Sequence, residues 1–206
     1  AVGGYDSGHF WIGPACPAVQ HAVPLAKVVK CPYSPHIMKL SNKLEKVLND
    51  QINLELCSAY AYLGMAAYFD RTPFSGFAKW MQVQSSEEVG HANRFFKYIV
   101  ERGGKVTLRA IPEPKGDYKS PLEAFKASLG HEQKVSASIC AIYELATAEK
   151  DYATLSFLKW FLDEQVEEER NVGDMLAKLE LVGDNTNGLY QLDRQAAQRA
   201  AENAKS

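Results

Sequence analysis

No apolar run in this chain approaches the ~20 residues that a membrane-spanning helix requires, so a transmembrane segment is not expected. The N-terminal stretch also lacks the apolar core of a signal peptide. Excess charge is missing as well. A net charge of −2 gives no electrostatic basis for binding nucleic acid or an anionic membrane. The four cysteines, Cys16, Cys31, Cys57 and Cys140, contain no Cys-x-x-Cys pair, which argues against a structural zinc site or a thiolate iron centre. Cys57 and Cys140 fall in helical patterns and are expected as small core residues. Cys16 and Cys31 could pair in an oxidising compartment. What remains is a chain of 206 residues, long enough to bury a full core as one domain with an appendage.

The appendage is residues 1–39. Gly3-Gly4, Gly13-Pro14, Pro17, Pro24, Pro32 and Pro35 leave no room for a useful helix, while Phe10 and Trp11 offer apolar anchors. Residues 40–206 read differently. Ser41 is a good N-cap, and Leu44, Val47, Leu48, Ile52, Leu56, Ala59 and Leu63 recur at the spacing of one helix face up to Asp70. Thr72-Pro73 is expected to start a second helix, with Pro73 near its first turn, that runs to Gly103-Gly104 and carries Phe77, Trp80, Met81, Phe95 and Tyr98. Residues 105–120, with Pro112, Pro114 and Gly116, are too long for a hairpin and suit a lengthwise crossover. Two more helices follow, over 121–149 and 152–181. After Gly183–Gly188 a short fifth helix is expected over 189–204, with Leu192, Ala196 and Ala200 on one stripe that allows close approach to neighbouring helices; a short Ala-rich helix outside a complete bundle reads as an oligomer contact. The class is all-α: a four-helix bundle with a long crossover between helices two and three, plus a short C-terminal helix.

The chemistry is carried by glutamates at matched depth. Glu88 and His91 stand three apart, one turn along a single face, where a carboxylate and an imidazole can hold one metal ion. Glu55 precedes Glu88 by 33 positions and Glu132 precedes Gln165 by 33, with Glu168 three residues on. Counted from the turns near Asp70–Pro73 and Lys150-Asp151, Glu55, Glu88, Glu132 and Glu168 all lie about 25 Å along their helices at ~1.5 Å per residue. Carboxylates gathered in a core repel, and must protonate or gain a cation. Oxygen ligands with one imidazole suit iron or manganese, with zinc as a competitor.

Gln51-Ile52-Asn53-Leu54-Glu55-Leu56, Glu87-Glu88-Val89-Gly90-His91, Trp160 to Glu169 and Gly188-Leu189-Tyr190 together closely resemble bacterial-type non-haem ferritin, over roughly residues 40–205. The resemblance implies a ferritin-like bundle in a homo-oligomeric cage of about 24 subunits. It also implies oxidation of Fe(II) by O2 or H2O2 at a di-iron ferroxidase centre, with storage of ferric mineral. By matching motif, Glu55, Glu88 and His91 would bind the first iron, and Glu88, Glu132 and Glu168 the second, with Gln165 alongside. Glu87, Glu164, Glu167 and Glu168 match a third iron site. Tyr62, two turns after Glu55 on the same face, matches the family's tyrosine beside the centre, a candidate electron donor or a core aromatic. Trp160 is expected to pack in the core, and His131 to lie on the surface or behind Glu132.

Two departures sort the relatives. Glu168 stands where di-iron oxygenases and bacterioferritins carry His, and Val89 where bacterioferritin presents its haem-ligating Met, so no haem is expected. The competing readings are a structural cage subunit with little activity and a DNA-protecting miniferritin. The latter implies a shorter chain without a fifth helix. The resemblance implies a cytoplasmic location, and an organelle or secreted one is the alternative for a chain that begins at Ala1. The N-terminal extension has no counterpart in the bacterial pattern.

Overall fold

The computed structural model describes residues 39–203, with side chains through 198. The expectations for residues 1–38, including Phe10, Trp11 and a Cys16–Cys31 pair, lie outside the described residues. Five helices are present: α1 Asn42–Asp70, α2 Ser75–Glu101, α3 Pro121–Ala148, α4 Tyr152–Val182 and α5 Thr186–Asn203. The described residues contain no strand. Helix α1 packs on α2, α3 on α4, α1 on α3, and α5 against α2 and α4.

Local chemistry sets most of the helix ends. Ser41 caps α1 by accepting from Leu44 N at 3.1 Å. Ser120 does the same for α3, where Pro121 occupies the first turn and loses no bond. Asp151 caps α4 through Thr154 N at 3.0 Å and also takes both guanidinium nitrogens of buried Arg102, at 2.8 and 3.1 Å. That pair ties the end of α2 to the start of α4. Pro73 lies just before the N-cap of α2, near the first turn as expected. Thr72 Oγ1 holds the Phe69 carbonyl and accepts from Phe74 N, which closes a turn first. Phe74 offers no side-chain cap. A distant residue supplies one instead: Asp193 of α5 accepts from Phe77 N at 2.8 Å.

Helix α5 begins three residues earlier than expected. Asn185 accepts from Gly188 N through its side chain and from Leu189 N through its carbonyl, so Gly188 sits inside the first turn. Its Leu192–Ala196 stripe is buried against the chain's own core, the close approach that its small residues allow. Cys140 also corrects the reading. The buried stripe of α3 runs through Ser128, Glu132, Val135, Ile139, Ile142 and Ala146, and Cys140, ~100° round from Ile139, is exposed. Cys57 is half-buried.

Residues 102–120 form no helix and run back along α1. Asn49 straps this crossover at one end, donating to the Lys105 carbonyl at 3.0 Å and accepting from Thr107 N at 2.6 Å. Arg71 holds the other end through the Gly116 carbonyl and Asp117.

The core is divided in two. One cluster holds Tyr62, Phe69, Phe77, Trp80, Phe125 and Leu179; the other holds Leu44, Leu48, Phe95, Ile139, Leu158 and Phe161. On each of the four long helices the switch from one cluster to the other falls at buried polar residues. These are Glu55 and Ser58 on α1, Gln84, Glu88 and His91 on α2, Ser128 and Glu132 on α3, and Gln165 and Glu168 on α4. The level expected from loop distances is therefore a polar layer across the whole bundle.

Candidate metal centre

Glu55, Glu88 and His91, all buried, bring ligand atoms within 4.8 Å of one another, as the ligands of one ion must. A second group, His91, Glu164 and Glu168, meets the same limit. His91 belongs to both: its Nδ1 lies 3.3 Å from Glu88 Oε2 and its Nε2 lies 3.9 Å from Glu164 Oε1. The i, i+3 spacing on α2 dictates the first contact. The antiparallel run of α2 beside α4 creates the second. Two aromatic rings fix the imidazole, and a cation backs one of them. Trp160 and Phe161 meet it edge-on at 5.5 and 6.0 Å, and the Arg94 guanidinium lies 3.6 Å over the Trp160 ring. Trp160 is thus a wall against His91, which fits its expected packing role.

Glu132 completes the layer from α3. Its Oε1 accepts from the Tyr62 hydroxyl, which in turn accepts from Ser128 Oγ at 2.9 Å. Gln165 donates from Nε2 to Glu132 Oε2, the Glu132 carbonyl and Ser136 Oγ, each at 3.3 Å. Tyr62 and Gln165 therefore hold Glu132 from two sides. Of the residues expected for a third site, Glu164 joins the second group, while Glu87 lies close enough to raise the charge cost of Glu88 and Glu168. Glu167 is exposed and belongs to neither group. His131 is half-buried, and burial followed by nearby Lys134 lowers its pKa, as suits a neutral group beside the layer.

The electrostatics of the layer disfavour bare carboxylates. Burial, then the charge of Glu88, pushes the Glu55 carboxyl well above the usual carboxylate range. Burial, then Glu132 and Glu168, does the same to Glu88. Glu168 is pushed up to about 8 by burial, then by Glu132 and Glu87. Burial raises Glu132 too, against the opposing bonds from Tyr62 and Gln165. A divalent cation in this layer would remove the repulsion and displace the protons.

Several supporting residues were missed in the sequence. Gln51 donates to Glu55 Oε1 at 2.9 Å and accepts from Ser138 at 2.5 Å. Gln84 donates to Glu168 Oε2 at 2.8 Å, and Ser136 donates to Glu169 at 2.5 Å. A signal existed for two of them: Gln51 and Gln84 each precede a buried glutamate by four, one helix turn on the same face.

Residues 45–182 match the family model of the ferritin-like domain. The bacterial non-heme ferritin of Staphylococcus aureus (strain USA300) is 44% identical over 160 residues, covering 78% of this chain and 96% of the relative. That of Staphylococcus haemolyticus is 44% identical over 161 residues, with 78% and 97% covered. Among solved structures, a novel open pore ferritin from the hyperthermophilic archaeon Archaeoglobus fulgidus superposes with a TM-score of 0.76 at 45% identity, covering 77% of this chain and 98% of that one. A humanized archaeal ferritin gives 0.76 at 43%.

Proposed function

Because the chain belongs to the ferritin family, we propose that it is an iron-storage ferritin whose bundle binds Fe(II) in pairs and oxidises it. In this reading Glu55, Glu88 and His91 hold the first ion, and Glu88, Glu132 and Glu168 the second, with Gln165 alongside. Glu88 bridges the two and fixes their separation. Each Fe(II) gives up one electron; O2 takes the pair with two protons to become H2O2, or H2O2 takes it with two protons to become two waters. Iron is here the substrate, oxidised at the centre and passed on for storage as ferric mineral.

The observation that carries the reading is the layer itself. Glu55, Glu88, Glu132 and Glu168 come from four helices and are each at most 4% exposed. Such a set is costly unless it is compensated by protons or cations. The chain's own residues have distinct roles. His91 is kept in one orientation by Trp160 and Phe161. Gln51 and Gln84 orient Glu55 and Glu168. Tyr62, bonded to Glu132, orients that carboxylate and is the nearest candidate to lend an electron, since its proton already has an acceptor. Glu87, Glu164, Glu167 and Glu168 are the carboxylates proposed for a third ion on its way to or from the pair, with exposed Glu167 the most dispensable of them.

Assembly into a cage of about 24 copies belongs to the same proposal. It is supported by apolar surface left on the subunit: Tyr60, Leu63, Val89 and Ile111 are 38–50% exposed and line a groove of about 370 Å³ between α1, α2 and the crossover. No helix among the described residues is long and apolar enough to cross a membrane. Residues 40–206 hold every proposed ligand, so residues 1–39 are read as a separate appendage. An anaerobic titration with Fe(II), followed by admission of oxygen, tests the function. Stoichiometric binding and rapid growth of ferric absorbance are expected. A chain that binds no Fe(II), or that oxidises it no faster than buffer does, would overturn it.

A further inference from the structure

Three buried side-chain atoms among the described residues have no hydrogen-bond partner within the protein: Asn53 Nδ2, Glu55 Oε2 and Ser58 Oγ. At ~100° per residue, Asn53 points to the far side of α1 from Glu55. Ser58 does not. Gln51, Glu55, Ser58 and Tyr62 fall within an arc of about 60° on α1, and all four are fully buried. The register with α3 adds a second coordinate. Gln51 meets Ser138 and Tyr62 meets Ser128, so Ser58 lies between the two bridges, level with the stretch of α3 that carries Glu132.

A buried serine on a helix has an easy home in the carbonyl four residues back. Even exposed Ser86 takes it, donating to the Gln82 carbonyl at 3.2 Å, and half-buried Ser85 reaches across to the Ala59 carbonyl at 2.8 Å. Ser58 has no such bond to Leu54 or to any other group. Its hydroxyl stands one turn from Glu55 on the same face, beside the polar layer, where the Glu55 carboxyl already faces that of Glu88. Native proteins satisfy such a hydroxyl with ordered water, which needs two to four polar partners.

Building on the ferroxidase reading, we infer that Ser58 is a further positioning residue of the centre, whose hydroxyl holds a water beside Glu55 that becomes a non-protein ligand of the iron Glu55 binds. Ser58 and Glu55 Oε2 supply two of that water's partners, and the metal supplies the third. The residue acts on iron only through the water. It differs in this from Ser128, whose hydroxyl is already spent on Tyr62.

The test pairs Ser58→Ala with Ser85→Ala in the full chain, using Fe(II) under anaerobic conditions and Zn(II) as a redox-inert probe. Ser58→Ala should weaken binding of both metals about tenfold, the lower end for loss of a group supporting a metal site. It should leave the iron-free melting temperature equal to wild type or higher, because no protein bond is lost. Ser85→Ala should do the reverse, lowering the melting temperature with metal affinity unchanged. Wild-type affinity in Ser58→Ala, or a melting-temperature loss equal to that of Ser85→Ala, would overturn the inference. A high-resolution structure of the iron-free wild type gives an independent arm: density for a water on Ser58 Oγ is expected, and a hydroxyl turned onto the Leu54 carbonyl with no water would refute it. Should the wild type bind neither metal, the ferroxidase reading fails, and the crystallographic arm still decides Ser58.

Discussion

Gly76 and Asp193 touch backbone to backbone: a Cβ at position 76 would lie 1.8 Å from the Asp193 carbonyl oxygen. No rotamer relieves that contact, because the obstructing atom belongs to the main chain of α5. The same Asp193 caps α2 through Phe77 N, so the close approach and the cap stand or fall together.

Gly76→Ala should therefore lift α5 from α2 and uncap α2 in one step. The expected cost is about 1–3 kcal/mol for forced overpacking, plus about 1 kcal/mol for a lost cap. Chemical denaturation measures it. A substitution that leaves stability unchanged would mean that α5 docks elsewhere in solution.

Glu88→Ala should slow rapid Fe(II) oxidation by roughly 100-fold, at the top of the range for a disturbed metal site or beyond it. Glu167→Ala, at an exposed position outside both ligand groups, should stay within about twofold of wild type, well short of the ten- to hundredfold range for supporting groups. Stopped-flow absorbance at two Fe(II) per subunit makes the comparison. Equal rates in the two variants would remove Glu88 from the bridging role.

The iron-free protein should lose stability as pH rises. Glu168 is raised from the ordinary carboxylate value of 4.5 to about 8, and Glu55 and Glu88 are raised well above it. Across that window the folded state holds protons that the unfolded state has released, so unfolding becomes easier with each step in pH. The contribution is fully present below about pH 4.5 and is lost by about pH 8. Metal affinity should climb over the same interval, because fewer protons compete. Melting curves from pH 5 to 8.5, with and without Zn(II), read both slopes. A flat iron-free profile would contradict the raised values.

A chain beginning at Lys39 should oxidise Fe(II) at the wild-type rate, because every proposed ligand lies between Glu55 and Glu168. A slowed rate in an assembled, folded variant would show that residues 1–38 reach the centre or the iron path.

Much of this was legible in the sequence because it depends on period and count. Equal distances from two turns put Glu55, Glu88, Glu132 and Glu168 at one level, and helical spacing put Glu88 and His91 on one face. The family resemblance supplied the pairing of ligands. Facts that depend on how helices are rotated against each other were harder to read. Cys140 lies in a helical pattern next to a buried isoleucine, yet rotation by one residue puts it in solvent. The Leu192–Ala196 stripe has the right period, but only the contact with Gly76 shows that it is used within the subunit. Asp193 could not be found as a cap for α2, because the two lie 116 positions apart.

The polar layer that divides the core has a mechanical consequence. Helices commonly loosen from their ends, yet each long helix here is gripped by an apolar cluster on either side of a middle that is held largely by hydrogen bonds among charged and amide groups. Without metal, the weakest stretch of each rod should be its centre, and the bundle should behave as two stiff blocks joined by a compliant waist. Amides near Glu55, Glu88, Glu132 and Glu168 should then exchange with solvent faster than those a few turns to either side. Metal would stiffen the waist and reverse that order, making the cargo a structural brace for as long as it stays.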